Sequence, residues 1–256
     1  MSKIEQLFAQ KNKRVLNVYC TAGFPELRSL STIIAALQTN GADLIEIGMP
    51  YSDPLADGPV IQASSARALK NGITISAIFS QLSEIRGSVK VPIILMGYMN
   101  PVMQFGFQKF CEEARAVGVD GLILPDLPIF EFEQEYGAII KDCDLDFIFL
   151  VTPETSEERI RKLDELSNGF LYAVSSSSTT GSEKNISDQN AYFRKLNQMQ
   201  LKNPILVGFG IRDKASFDKA CEYANGAIIG TAYIKAIEQS LDIDKTTKEF
   251  LDGIIR

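Results

Sequence analysis

The stretch ADLIEIGMPYSDPLADGPVIQ, residues 42–62, carries the pattern that decides the fold. Its first part, DLIEIG, is a short apolar run that contains Glu46. A parallel strand covered by helices on both faces has such a composition, because it has no solvent side on which polar residues could alternate. Similar runs recur along the chain and begin at Val15, Val91, Asp120, Asp146, Phe170, Asn203 and Gly226. The sequence therefore predicts eight strands.

Segments with helical spacing separate these runs. They include LRSLSTIIAALQTNG from Leu27, FQKFCEEARAVG from Phe107, EERIRKLDELSNG from Glu157 and KASFDKACEYANG from Lys214, and each ends on a glycine that can stop a helix. Strands that alternate with helices form a parallel sheet, and eight repeats favour an α/β fold closed into one (β/α)8 TIM barrel, residues 1–256. The alternative, an open doubly wound sheet, needs an early glycine-rich phosphate turn, whereas CTAGFPE follows the first strand.

Two other features complete the expected barrel. The first dozen residues, with Ile4, Leu7 and Phe8, predict a short amphipathic helix that closes the N-terminal face. Long connections are expected after strand two, residues 48–77, and after strand six, residues 175–190. Loops at the C-terminal ends of barrel strands carry function, so we expect the site there.

Charge and cysteine spacing narrow the class of protein. With 26 basic and 32 acidic residues the net charge is −6, which provides no electrostatic footprint for nucleic acid or an anionic membrane. The chain shows no signal-peptide pattern and no apolar run near roughly 18 residues, so we expect a cytoplasmic protein. The four cysteines are widely separated, which favours reduced core thiols, and with no histidine as a base Cys20 is a poor candidate nucleophile.

Three carboxylates are candidates for acid/base chemistry. Glu46 lies near the C-terminal end of a strand, where alternation with Ile45 and Ile47 is expected to aim it into the barrel mouth. The alternative is an outward side chain paired with a basic residue. Asp53 and Asp57 follow on a proline-stiffened loop and can act with Glu46 as general acids or bases. They are also candidates for turn and N-cap positions before the helix VIQASSARAL.

Glycine turns late in the chain predict a phosphate site. The turns are SSSSTTGS with Gly181, GFGI with Gly208 and Gly210, and IIGTA with Gly230 and Thr231. The last two follow strands seven and eight, where barrels of this kind often bind phosphate through backbone N–H groups.

Aromatic residues and missing residue types narrow the chemistry further. Tyr19, Tyr98 and Tyr172 fall near strand ends, where we expect them to line a pocket for a flat apolar ligand, with core packing as the alternative. None of the eight runs contains a lysine for a Schiff base, and no clustered histidines or carboxylates suggest a metal site. Any carbon–carbon cleavage would therefore rest on acid/base chemistry and an electron sink in the substrate.

The whole chain resembles the tryptophan synthase alpha subunit family. The resemblance is carried by residues 42–62, by YCTAGFP from Tyr19, GYMNPV from Gly97 and GLILPDLP from Gly121, and by the late GFGI and GTA turns. It implies a (β/α)8 barrel that cleaves indole-3-glycerol phosphate to indole and glyceraldehyde 3-phosphate in L-tryptophan biosynthesis. It also implies that indole passes to a beta subunit in an alpha-beta-beta-alpha heterotetramer. Pyridoxal phosphate is expected in that beta subunit only, with no cofactor in this chain.

The resemblance implies roles for matching residues. Glu46 is expected to be the general acid/base that takes the proton of the glycerol-side hydroxyl and protonates indole C3, while Asp57 accepts the indole N–H. Tyr172 is expected to hold Glu46 and the substrate. The other expected substrate contacts are Tyr19, Tyr98 and Thr180.

The resemblance also implies a phosphate site and a partner surface. The expected phosphate contacts are Gly181, Gly208, Gly210, Gly230 and Thr231. The residues expected on loops that face the beta subunit are Asp53, Asn100, Pro101, Asp126 and Pro128, with Asp53 also a latch for the strand-six loop. Where family members usually have a glycine and an arginine before the matching Gly181, this chain has Ser178 and Ser176, so closure of that loop is expected to differ.

Two other functions stay open on the sequence. One is an activating scaffold that switches on a beta-type partner and has weak chemistry of its own, which assays of indole-3-glycerol phosphate cleavage with and without that partner would separate. The other is a related phosphate-binding barrel, such as an isomerase of ribosyl or indolyl substrates. The unbroken SDPLADGP run, residues 52–59, argues against this second alternative.

Overall fold

In the computed structural model, which describes residues 1–174, 186–208 and 210–256, nine strands form one parallel sheet. The strands are β1 Val15–Thr21, β2 Leu44–Gly48, β3 Ile93–Met96, β4 Gly121–Ile123, β5 Asp146–Phe147, β6 Leu150–Val151, β7 Leu171–Val174, β8 Ile205–Gly208 and β9 Gly226–Ile229. Their order in the sheet is β5-β4-β3-β2-β1-β9-β8-β7-β6.

The two ends of this order meet in one stretch of chain. β5 and β6 are consecutive pieces of the run DFIFLV, residues 146–151. The N–H of Ile148 donates to the carbonyl of Leu122 on one side, and the N–H of Tyr172 donates to the carbonyl of Phe149 on the other. A single strand that changes partners midway thus closes the (β/α)8 barrel, with β5 and β6 as its fifth strand. Every run predicted from the sequence contains a strand, and the predicted fold is confirmed.

Helices cover the outside of the sheet. The α-helices are α1 Lys3–Gln10, α2 Leu30–Thr39, α3 Pro59–Lys70, α4 Ile75–Ile85, α5 Met99–Phe105, α6 Phe107–Ala116, α7 Ile129–Glu131, α8 Gly137–Asp142, α9 Glu157–Leu166, α10 Ile186–Gln198, α11 Lys214–Tyr223, α12 Thr231–Ile237 and α13 Ile243–Ile255. A 3-10 turn, Arg86–Ser88, follows α4, and a π-helical turn, Phe132–Tyr136, joins α7 to α8. In the described residues no helix is both long enough and apolar enough to cross a membrane.

Helix α1 covers the N-terminal face of the barrel, as the sequence predicted. Ile4 is completely buried, and its methyl groups lie close to Gly121 and Gly169. A Cβ atom on Gly121 would lie 3.1 Å from the Ile4 side chain, and one on Gly169 would lie 2.9 Å from it. Ser2 forms a capping box with Glu5, which fixes the start of the helix. The glycines at the bottom of the barrel therefore leave the space that the helix fills.

The long connection expected after strand two is mostly helical. Residues 49–58 form the irregular part, after which α3 begins at Pro59 and α4 at Ile75. Proline at the first turn and apolar residues at helical spacing explain why the chain folds into α3 so soon after the loop. Of the connection expected after strand six, residues 175–185 lie outside the described residues, and α10 begins at Ile186.

Removal of the Ile4 side chain tests the packing of α1. We expect Ile4→Ala to lower the free energy of unfolding by about 2–5 kcal/mol, because the buried side chain would leave a cavity between α1 and the strands. Urea-induced unfolding followed by circular dichroism measures this loss. Gln10→Ala, an exposed position of the same helix, is the control and should change the value by less than about 0.5 kcal/mol. Equal values for the two variants would contradict the packing described.

Candidate active site

A cavity opens inside the barrel near the C-terminal ends of the strands, the end at which enzymes of this fold carry their active sites. It encloses about 480 Å³ of empty space, which includes its opening to solvent. The cavity is lined by Tyr19, Glu46, Asp57, Ile61, Met96, Tyr172, Gly210, Ile211, Ile228, Gly230 and Thr231. Carboxylates, tyrosines and aliphatic side chains therefore share one pocket.

Glu46 lies in the wall of this cavity and is almost completely buried, with 1% of its surface exposed. It pairs with Tyr19 on β1 and Ile94 on β3 across the sheet. The Nδ2 of Asn17 donates a hydrogen bond to its Oε2 at 2.9 Å. The alternative of an outward side chain paired with a basic residue is wrong, because Glu46 forms no ion pair with the described residues.

Burial sets the protonation of Glu46. It raises the pKa of this carboxyl to about 8, the Asn17 hydrogen bond opposes the rise, and the nearby Asp57 charge adds to it. No lysine or arginine is among the described residues that line the cavity. At neutral pH Glu46 is therefore mostly a neutral acid with a proton to give.

Asp57 comes from the loop after β2 and faces the same cavity. The hydroxyl of Tyr98 donates to its Oδ2 at 3.0 Å. Burial raises the pKa of Asp57, and this hydrogen bond opposes the rise. The N-cap of α3 is Gly58, without a side-chain capping bond, so the carboxyl group of Asp57 is not used as a helix cap.

Two tyrosines fit in the site because glycines lie beside them. A Cβ on Gly48 would lie 1.9 Å from the Tyr19 hydroxyl oxygen, and one on Gly208 would lie 2.2 Å from the Tyr172 ring. Burial and the neighbouring carboxylates raise the pKa of both phenols, so both hydroxyls stay protonated. Tyr98 does not line the cavity; its hydroxyl oxygen instead accepts from the backbone N–H of Ala56 and so supports the loop that carries Asp57.

Only some of the residues expected to contact the phosphate line the cavity. Gly210, Gly230 and Thr231 line the cavity, and Thr231 begins α12. Gly208 does not line the cavity. Because it has no side chain, it leaves the space that the Tyr172 ring occupies. Thr180 and Gly181, like Ser176 and Ser178, lie outside the described residues.

The residues expected to face a partner lie outside the cavity, after β2, β3 and β4. Asp53 is exposed and accepts a hydrogen bond from Ser52. Both carboxylate oxygens of Asp126 accept from the N–H of Met99 at 3.0 Å, so Asp126 fixes the start of α5. On α5 itself, Asn100 donates to the Tyr51 hydroxyl and is followed by Pro101, and Pro128 is the N-cap of α7.

Asn17 and the aliphatic walls of the cavity were not predicted from the sequence. Asn17 is completely buried in β1. The signal was a polar residue inside the apolar run VLNVYCT, two positions before Tyr19 and hence on the same face of the strand. The walls Ile61, Met96, Ile211 and Ile228 have no such signal, because aliphatic residues are expected in every strand and helix.

The comparisons with known proteins agree with this geometry. The family model described as Tryptophan synthase alpha chain matches residues 6–252. The tryptophan synthase alpha chain of Flavobacterium johnsoniae is 51% identical over 241 residues, which cover 94% of this chain and 95% of that protein. The chain belongs to the tryptophan synthase alpha chain family. A second relative, the alpha chain of Phocaeicola vulgatus, is 46% identical and covers 99% of both chains.

Solved structures give the same result. The crystal structure of the tryptophan synthase alpha chain from Legionella pneumophila superposes with a TM-score of 0.90 at 31% identity and covers 99% of this chain and 96% of that one. A tryptophan synthase complex from Pyrococcus furiosus contains a chain with a TM-score of 0.87 at 33% identity, covering 96% and 99%. As a family member, this chain is a carbon–carbon lyase that cleaves indole-3-glycerol phosphate to indole and glyceraldehyde 3-phosphate in tryptophan biosynthesis. The alternative of a ribosyl or indolyl isomerase is therefore wrong.

The raised pKa of Glu46 predicts a pH-dependent difference in stability. The folded protein keeps this proton up to about pH 8, whereas the unfolded chain releases it near 4.5. Burial of Glu46 therefore lowers stability progressively as pH rises between these values, and the whole loss is present above pH 8. We expect Glu46→Gln to be more stable than the unchanged protein by about 3–5 kcal/mol at pH 9, and by little at pH 4.5.

Urea unfolding at both pH values measures this difference. Glu222→Gln, which makes the same replacement at an exposed position of α11, is the control, and its effect should be equal at the two pH values. A Glu46→Gln effect that does not change with pH would contradict a raised pKa for Glu46.

Proposed function

We propose that Glu46 and Asp57 carry out the cleavage of indole-3-glycerol phosphate in the cavity described above. The observation that carries this proposal is that both carboxyl groups line one pocket together with two tyrosines and no basic side chain among the described lining residues. Such a pocket offers a neutral acid, a second carboxylate and apolar walls. These match a reaction whose electron sink is the flat indole ring of the substrate.

The aliphatic and aromatic walls support a place for the indole ring. Ile61, Met96 and Ile228 give apolar contact, and Asp57 can accept the indole N–H. Gly210, Gly230 and Thr231, after the seventh and eighth barrel strands, are proposed to contact the phosphate through backbone N–H groups. Thr180 and Gly181 are proposed as further contacts by the family resemblance.

The proposed steps follow from the protonation of the two acids. Neutral Glu46 gives its proton to indole C3, and the positive charge that develops on the ring nitrogen is stabilised by the Asp57 carboxylate. The Glu46 carboxylate then takes the proton of the glycerol-side hydroxyl, whose oxygen becomes the aldehyde. The bond between indole C3 and the glycerol carbon breaks, its electron pair returns to the ring, and Glu46 is again protonated.

An apolar surface beside the site supports a beta subunit as partner. Its three side chains, Leu55, Met103 and Phe130, are exposed and follow β2, β3 and β4, which are neighbours in the sheet. We propose that they meet the beta subunit together with Asp53, Asn100, Pro101, Asp126 and Pro128. By the family resemblance the assembly is an alpha-beta-beta-alpha heterotetramer, pyridoxal phosphate lies in the beta subunit only, and this chain needs no cofactor.

Free thiols support a cytoplasmic location for the enzyme. All four cysteines are unpaired, and Cys20 and Cys111 are completely buried. Burial raises the pKa of both thiols to about 12, so they are inert thiols and not nucleophiles. Such thiols suit a reducing compartment.

Conservative removal of each carboxylate tests the proposed chemistry. We expect Glu46→Gln and Asp57→Asn each to lower indole release from indole-3-glycerol phosphate by at least about 100-fold, because one loses the proton donor and the other the counter-charge. Indole is measured by its colour reaction, with and without beta subunit, and circular dichroism checks the fold. Glu222→Gln is the control and should keep full activity.

Two outcomes would contradict the proposal. Indole release by Glu46→Gln at the unchanged rate would exclude Glu46 as the acid/base. An unchanged protein that releases no indole in either mixture would instead favour the activating scaffold.

A charge placed on the exposed apolar surface tests the partner. We expect Phe130→Asp to weaken binding of the cognate beta subunit by at least about tenfold, because an exposed ring that becomes buried on binding is replaced by a carboxylate that must lose its hydration. Isothermal titration calorimetry measures the dissociation constant. Leu241→Asp is the control, because it places the same charge at a fully exposed leucine outside these loops. Equal affinities for both variants would exclude this surface.

A further inference from the structure

Asn17 is a polar residue at a buried position where the packing of the barrel needs only an apolar side chain. It lies in β1, opposite Leu44 of β2 and Ile228 of β9, and is completely buried. Its Oδ1 is also buried and has no hydrogen-bond partner among the described residues. A buried amide with one unsatisfied end destabilises the folded state, so an isosteric leucine would suit the barrel better.

The other end of the amide contacts a reacting group. Asn17 Nδ2 donates to Glu46 Oε2 at 2.9 Å, and neither residue is more than 1% exposed. Alternation along β1 places Asn17 on the same face as Tyr19, which lines the cavity, whereas Asn17 itself lies one layer deeper and does not. It therefore reaches the substrate only through Glu46.

We propose that Asn17 is a positioning residue that orients the Glu46 carboxyl group and supports it in both of its protonation states. This inference rests on the role proposed above for Glu46. When Glu46 is ionised, its Oε2 accepts from Nδ2, which lies 2.9 Å away. When Glu46 is protonated, a half-turn of the amide about its Cβ–Cγ bond brings the unpartnered Oδ1 into position to accept the Glu46 O–H.

The surroundings explain why such support matters. The titratable groups that interact with the charge of Glu46 are Tyr19 and Cys20 of β1, Asp57 of the loop after β2 and Tyr172 of β7. All of them are acids, and burial together with Asp57 raises the pKa of Glu46, whereas the Asn17 hydrogen bond lowers it. No basic residue is in the described lining of the cavity. The hydrogen bond from Asn17 is therefore the described contact that favours the ionised form of Glu46.

Two isosteric variants separate this role from packing. Asn17→Leu removes both the donor and the acceptor, and Asn17→Asp replaces the donor with a second acid. In Asn17→Leu the ionised form of Glu46 loses its hydrogen bond, and we expect its ionisation midpoint to move up by about one pH unit. In Asn17→Asp the two carboxyl groups share a proton, and we expect full ionisation of the pair, read on the Glu46 signal, to move up by more, because two charges would then be buried side by side.

The midpoint is read in two independent ways. One is 13C NMR of the carboxyl carbon in the glutamate-labelled full chain, where the Glu46 signal is identified by its loss in Glu46→Gln. The other is the pH profile of kcat/KM for indole release in the presence of beta subunit. We also expect kcat to fall roughly tenfold with little change in KM, since the hydrogen bond acts on the reacting group and not on substrate binding.

The control is Val18→Ala, the next residue of the same strand, which is equally buried but lies on the opposite face. It should lower the thermal midpoint and leave the Glu46 midpoint unchanged. Asn17→Leu removes an unsatisfied buried oxygen but also the donor to Glu46, so we expect its thermal midpoint, compared with that of the unchanged protein, to be lower at pH 9 than at pH 5. Asn17→Asp provides the same NMR reading if Asn17→Leu does not fold.

A Glu46 midpoint that stays in place in the Asn17 variants would overturn the proposal. That result differs from a failure of the role of Glu46 itself. If Glu46→Gln released indole at the normal rate, the acid/base assignment would fall, while the NMR titration would still show whether Asn17 controls the carboxyl group.

Discussion

The burial of one carboxyl group, that of Glu46, is the constraint on which the rest of the site depends. Inside the barrel, at 1% exposure and without a cation among the described lining residues, the ionised form is disfavoured and the pKa rises to about 8. An acid that titrates near neutral pH can both give and take a proton in one reaction cycle. The chemistry of the pocket therefore follows from where β2 places this side chain. Burial is the main cause of the raised pKa of Glu46; the Asn17 hydrogen bond lowers this pKa and the Asp57 charge raises it further.

The strands, and the positions of Glu46 and Asp57 at the C-terminal end of the barrel, could be predicted from the sequence because both signals are local. A parallel strand is apolar throughout its length, so Glu46 stands out in its run by composition alone. The partner of Glu46 could not be predicted in the same way, since the contact with Asn17 depends on the register between β1 and β2. The division of the fifth barrel strand into β5 and β6 likewise depends on which neighbours Ile148 and Phe149 bond, and the run of apolar residues does not show this.

Glycine positions show how one residue type can serve two purposes at the same end of a barrel. Gly210 and Gly230 line the cavity, where a backbone without side chains can approach a phosphate. Gly48 and Gly208 instead make room for the rings of Tyr19 and Tyr172, which could not take their places beside any larger residue. A glycine turn in the sequence is compatible with either purpose, and only the position of its neighbours distinguishes them.

Acidic residues at the two ends of the barrel have opposite environments. At the N-terminal ends, Asp43 binds Lys11 and the N–H of Leu16, and Asp120 accepts from the N–H of Ile93 beside Lys3. Each of these carboxylates receives a backbone donor and a cation, which oppose the effect of burial, although burial still raises the pKa of Asp120. At the C-terminal end, the carboxyl groups of Glu46 and Asp57 receive one neutral donor each in the described structure. Weakly supported acids that share a cavity are what the proposed reaction requires, because in it both groups change partners when the substrate binds.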